Sequence, residues 1–72
     1  MDLVLGLGLS GEAMVRWLAY RGVPVRAADT RARPPGAARL DALLPPESLV
    51  LGRPFEASLL EGVERVWLSP GL

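Results

Sequence analysis

Seventy-two residues form at most one small domain, and a domain that short buries only roughly 60% of its unfolded surface. The absence of cysteine and histidine excludes disulfides, thiol nucleophiles, imidazole bases and the usual zinc ligands. Net charge is zero, every basic residue is arginine, and neither a basic stripe nor an acidic cluster occurs. Nucleic acid and metal are therefore not expected partners.

The longest apolar run, residues 3–9, is too short to span a membrane and has no basic segment before it. A cytoplasmic chain without membrane contact is expected. Lys, Ile, Asn and Gln are absent, whereas Ala, Gly, Pro, Leu and Arg abound, the pattern of a GC-rich genome. Loss of Asn, Gln and Cys also suits a thermophile, although the missing Lys counts against one.

In chain order, residues 2–7 read as a continuous apolar strand. Residues 10–21 have helical period, with Ala13, Met14, Trp17 and Leu18 on one stripe and Glu12 and Arg16 off it, paired at i,i+4. Gly22 closes that helix and Pro24 prevents its continuation. Residues 23–28 form a second strand ending at Asp29, and residues 31–36, with Pro34 and Pro35, form a loop. Residues 37–44 read as a short helix with Leu40, Leu43 and Leu44 on one side, stopped by Pro45 and Pro46. A brief third strand (48–51), a third short helix (55–60) closed by Gly62 and a fourth strand (65–68) follow. Ser69-Pro70-Gly71 makes a turn. Val66 and Leu68 are expected on the sheet face opposite Trp67.

This β-α-β-α-β-α-β alternation predicts an α/β fold: a Rossmann-like, doubly wound parallel sheet of four strands in the order 3-2-1-4. A complete sheet of this kind continues past a fourth strand. Residues 1–72 are therefore expected to be one truncated domain of a longer protein.

Gly6-Leu7-Gly8-Leu9-Ser10-Gly11 fits G-x-G-x-x-G between a strand and a helix, the setting in which that motif cradles phosphate. Gly6 permits the turn, Gly8 leaves room for a phosphate, and Gly11 lets the helix pack closely on the strand. Backbone N–H groups of Leu9, Ser10 and Gly11 then face an anion at the positive end of the helix. Ser10 can cap the helix or bond a phosphate oxygen. The same glycines also suit a tight turn that binds nothing.

Asp29 follows Gly11 by 18 residues, at the end of the second strand. Its carboxylate can accept from ribose hydroxyls or from a uracil N3–H, the Thr30 N–H can donate to a ring carbonyl, and Arg31 can stack on a base. A solvated loop acid with its neighbours is the plain alternative. In the order 3-2-1-4, residues 6–11, 29–31 and 69–71 meet on one sheet edge, where Gly71 can touch a sugar or phosphate or simply complete a β-turn. A helix terminus contributes ~0.3–1 kcal/mol to an anion and each neutral hydrogen bond about 1 kcal/mol. With no lysine at the loop, the chain alone is expected to hold a nucleotide no tighter than roughly millimolar.

Val4–Gly11, Asp29-Thr30-Arg31 with Pro34-Pro35-Gly36, and Leu68-Ser69-Pro70-Gly71 together resemble the N-terminal domain of the Mur ligases. The nearest branch is the one that adds D-glutamate to a UDP-linked muramoyl-alanine. The resemblance covers the whole chain. It implies that Gly8, Leu9 and Ser10 hold the diphosphate of a UDP-sugar substrate, with Gly11 in the same UDP-binding turn. Asp29, Thr30 and Arg31 would meet the uracil, and Gly71 would lie beside the substrate. It also implies a parent enzyme that uses ATP and magnesium through an acyl phosphate, with the ATP loop and the D-glutamate site in further domains of the parent chain. No cofactor and no catalytic residue are expected in residues 1–72 themselves. The competing readings are half of an NAD(P)-binding dehydrogenase domain and a non-enzymatic nucleotide sensor.

Overall fold

The computed structural model describes residues 1–70. It begins with strand β1 (Asp2–Leu5), followed by helix α1 (Leu9–Tyr20), strand β2 (Val25–Asp29) and a single helical turn, α2 (Ala37–Leu40). Strand β3 (Leu49–Leu51) and strand β4 (Arg65–Leu68) follow, each preceded by a 3-10 turn, Pro46–Ser48 and Ala57–Leu60. The four strands form one parallel sheet in the order β3-β2-β1-β4, as the alternation predicts.

β1 is central. Val4 sits between Ala27 and Trp67, and Leu5 between Ala28 and Leu68. A parallel strand with neighbours on both sides is buried on both faces, which explains its uninterrupted apolar run. Val4 joins Leu7, Val15, Leu18, Val25, Ala27, Leu40 and Leu44 in the larger core cluster. Leu3, Ala28 and Leu59 form a smaller cluster with Leu5, Val50 and Val63 packed against it. Right-handed crossovers explain the asymmetry: two successive steps in one direction place α1 and α2 on one face, and the return from β3 to β4 passes across the other.

Several local expectations are corrected. β1 ends at Leu5 rather than residue 7, because Gly6 adopts φ 93 and turns the chain out of the sheet. The buried row of α1 is Gly11, Glu12, Val15 and Leu18, with Met14 half-buried; Ala13 and Trp17 are exposed. Contact of Gly11 with the β1 tip fixes the rotation of the helix, turning Trp17 to the flank, edge-on to Trp67 at 6.5 Å. Glu12, expected off the apolar stripe, is buried where α2 packs over it. Its carboxylate lies 3.1 Å from Arg39 and 3.9 Å from Arg16.

α1 closes as expected at Gly22, which has φ 76. Its N–H donates to Ala19 and that of Val23 to Leu18, the paired bonds of a Schellman ending. The second helix is far shorter than residues 37–44. α-Helix covers Ala37–Leu40 and turns carry the chain to Leu44, ahead of the two prolines. Leu40 and Leu44 reach the core, but Leu43 is 44% exposed. The third helix is only the 3-10 turn Ala57–Leu60, since Glu56 after Pro54 is extended. Trp67 packs against the larger core cluster, while Val66 and Leu68 are exposed.

At the opposite edge from the glycine loop, the buried Asp2 carboxylate accepts from the Trp67 indole N–H at 3.0 Å and pairs with Arg65 at 3.2 Å. The indole bond, with Arg65 beside it, holds the Asp2 carboxyl below the usual carboxylate range.

Candidate functional site

Gly8 is the N-cap of α1 and supplies no side-chain cap. Ser10 is thus the second residue of the helix, not its cap, and its side chain lies at the exposed surface. The first helical bond runs from the Glu12 N–H to the Gly8 carbonyl at 3.0 Å. Among the described residues, the N–H groups of Leu9, Ser10 and Gly11 have no acceptor. Three donors at the positive end of a twelve-residue helix make an anion-favouring turn.

The two glycines flanking these donors differ physically. A Cβ on Gly11 would lie 1.8 Å from the Gly6 carbonyl oxygen, so this position seats the helix on the β1 tip. A Cβ on Gly8 would meet nothing within 4 Å and would project into open space.

Asp29 ends β2 level with this turn. Its Oδ2 accepts from the Leu7 N–H and from Arg31 Nη2, both at 2.8 Å. Its Oδ1 accepts from the Arg31 N–H at 2.8 Å and Arg31 Nε at 3.0 Å. A carboxylate offers about four lone-pair sites, and all four are engaged within the chain. The Arg31 guanidinium, then the Leu7 and Arg31 N–H groups, hold the Asp29 carboxyl far below the usual carboxylate range, outweighing the effect of burial. The same pairing raises the Arg31 guanidinium. Thr30 is exposed at the tip, between them.

The third corner is held by the Ser69 N–H, which donates to the Leu5 carbonyl at 3.0 Å and places the end of β4 beside Gly6. Gly71 lies outside the described residues. Residues 6–11, 29–31 and 69–70 therefore share the carboxyl edge of the sheet. A groove of about 490 Å³ lined by Arg16, Trp17, Ala19, Tyr20 and Leu43 opens elsewhere, on the flank of α1, and contains none of these residues.

Two further glycines, to which the sequence reading assigned no role at the site, help to build it. The Gly36 N–H donates to the Leu7 carbonyl at 2.9 Å, and a Cβ there would lie 3.0 Å from Leu7 O and 3.1 Å from Gly8 O. The Gly52 N–H donates to the carbonyls of Asp29 and Arg31 at 3.1 and 3.0 Å, closing the turn from β3. The signal for Gly36 was present as a glycine directly after two prolines. For Gly52 it was the glycine ending the third strand.

The family model described as Mur ligase MurD-like, N-terminal domain, matches residues 1–72. A protein of Paraburkholderia xenovorans (strain LB400), named UDP-N-acetylmuramoylalanine--D-glutamate ligase, is 54% identical over 72 residues, covering 100% of this chain and 14% of that protein. Proteins of the same name from Ralstonia nicotianae and Aromatoleum aromaticum are 53% and 51% identical over 70 residues, 97% of this chain and 14% and 15% of theirs. The chain spans about a seventh of the length of the curated relatives it matches. With its glycine turn, second-strand acid and Ser-Pro corner on one sheet edge, the chain belongs to the MurD-like N-terminal domains of the Mur ligases.

Proposed function

We propose that this domain anchors the UDP end of a UDP-linked muramoyl-alanine in a ligase that adds D-glutamate during peptidoglycan precursor synthesis in the cytoplasm. The observation that carries this reading is the open turn of α1: three unpartnered N–H groups beside a glycine whose missing Cβ leaves room for a phosphate. Gly8, Leu9, Ser10 and Gly11 bind the diphosphate, with the Ser10 hydroxyl as an added donor. Thr30 and Arg31 meet the uracil by hydrogen bonding and stacking, on the turn that Asp29 braces, and Gly71 lies beside the sugar. The names of the relatives support the same substrate.

The residues present do not fit ATP or magnesium. The chain has no lysine and no Gly-Lys-Ser/Thr run, and among the described residues no group of three carboxylates could hold a metal ion. ATP, magnesium and D-glutamate are assigned to the remaining domains of the parent chain, which are also the partners of this domain. No bond-making step occurs on residues 1–72. Their part is to bind and orient the substrate.

Titration of the nitrogen-labelled chain with UDP and with NAD tests the assignment. UDP is expected to shift the amides of Gly8–Gly11 and Thr30–Arg31 with a dissociation constant of roughly millimolar, set by a few neutral hydrogen bonds and a helix terminus. Larger shifts with NAD at the same amides would overturn the UDP reading.

A further inference from the structure

Sheets of this kind that bind dinucleotides use an acid at the end of the second strand to accept hydrogen bonds from ribose hydroxyls. Asp29 holds that position, but its lone pairs are taken. The Leu7 and Arg31 N–H groups occupy one site on each oxygen and belong to the backbone of the loop and turn. The other two sites are occupied by Nε and Nη2 of Arg31. The Asp29 side chain is 2% exposed and that of Arg31 56%, so the guanidinium is the outer cover of the carboxylate.

Resting on the nucleotide reading above, we propose that Arg31 is the specificity-determining residue of this site: by covering Asp29, it denies ribose hydroxyls their acceptor and excludes adenine dinucleotides from a glycine loop that otherwise suits them. A ribose diol would have to displace a two-pronged, charge-assisted pair and offer only two neutral donors in return. The barrier is selective. A ligand that presents its base, rather than its ribose, to the β2 tip can use the outer face of the guanidinium and the exposed Thr30, leaving the carboxylate covered.

The test compares the unaltered chain, Arg31→Ala, Arg31→Ser and Arg31→Ala with Asp29→Asn, each titrated with NAD, NADP and UDP. Arg31→Ala is expected to bind NAD about tenfold more tightly than the unaltered chain, the gain of two modest hydrogen bonds. UDP binding is expected not to improve. Adding Asn at residue 29 keeps an acceptor for the Leu7 N–H but removes the charge, and is expected to reverse most of the gain. The Leu7 amide shift reports whether the loop is intact, and Arg31→Ser serves if the alanine variant disorders it. Unchanged NAD affinity with an intact loop overturns the proposal, as does a gain that survives Asp29→Asn. Loss of the loop in both Arg31 variants also overturns it, because Arg31 would then be a structural brace. Tighter binding of NADP than NAD by the unaltered chain, abolished by Arg31→Ala, would show the guanidinium reading a 2′-phosphate and would overturn it too. Preference of the unaltered chain for NAD over UDP is a separate outcome: it removes the UDP reading itself.

Discussion

Gly8 and Gly11 stand three residues apart in one turn and answer to different constraints. Gly11→Ala forces a methyl to within 1.8 Å of the Gly6 backbone oxygen, in the turn that leaves the central strand, and neither partner is a flexible side chain. Overpacking of this kind costs about 1–3 kcal/mol, and more where backbone has to move. Urea unfolding is expected to show a large fall in the midpoint. A Cβ at Gly8 meets no atom within 4 Å, and its backbone at φ −77 and ψ −165 is ordinary extended chain. Gly8→Val is expected to fold with a modestly lowered urea midpoint, since valine is a poorer N-cap than glycine, and to lose UDP-induced amide shifts, because the added methyls occupy the phosphate's space. Retained UDP shifts in folded Gly8→Val would remove the diphosphate from this turn.

Among the elements, β4 is an edge strand joined to β1 by backbone bonds and, at its lower end, by one side-chain knot. Trp67 serves twice there: its ring meets Trp17 of α1 edge-on, and its N–H satisfies the buried Asp2 carboxylate. Arg21 and Arg65 lie over the Trp17 and Trp67 rings at 5.1 and 5.9 Å. Trp67→Phe keeps an aromatic ring and removes the donor, leaving Asp2 with Arg65. A loss of about 1–3 kcal/mol in unfolding free energy is expected. A loss no greater than that of an exposed substitution, about 0.5 kcal/mol, would make the indole bond unimportant to the docking of β4. The pair between Glu12 and Arg39 links α1 to α2 in a similar way. Arg39 is largely exposed, so its value falls within the 0–1 kcal/mol of surface pairs.

For the whole molecule, stability against pH follows from two carboxylates whose folded pKa values lie below the ordinary 3.8. A carboxyl depressed in the folded state adds stability that is complete above its unfolded pKa and is lost as pH falls through the folded one. With no histidine, no side chain titrates in its ordinary range between about pH 5 and 8. Unfolding free energy is therefore expected to be flat from about pH 8 to 5 and to fall below about pH 4. Asp29→Asn is expected to lower the plateau and make the acid limb shallower, as measured by urea unfolding across that range. An acid limb of unchanged slope in the variant would contradict the role given to Asp29. The small size of the molecule sharpens these effects, since a chain of this length folds with little margin.

Element order, parallel pairing and strand order were legible from local signals. Apolar runs alternating with turn residues define the strands, and crossover handedness leaves 3-2-1-4 as the natural order. The glycine turn and the second-strand acid were legible for the same reason, because each depends on residues adjacent in the chain. Helices are shorter than apolar spacing predicts where prolines and a 3-10 turn interrupt it, as at Leu43 and Phe55. What only the tertiary structure decided are the contacts between distant segments. Packing at Gly11 rotated α1 so that Glu12, not Trp17, is buried, and Gly36 came to rest on the glycine loop. Asp29 has every lone pair filled from Leu7 and Arg31. Such outcomes depend on which contacts between distant segments give the lowest free energy in three dimensions, and chain spacing carries no record of that competition.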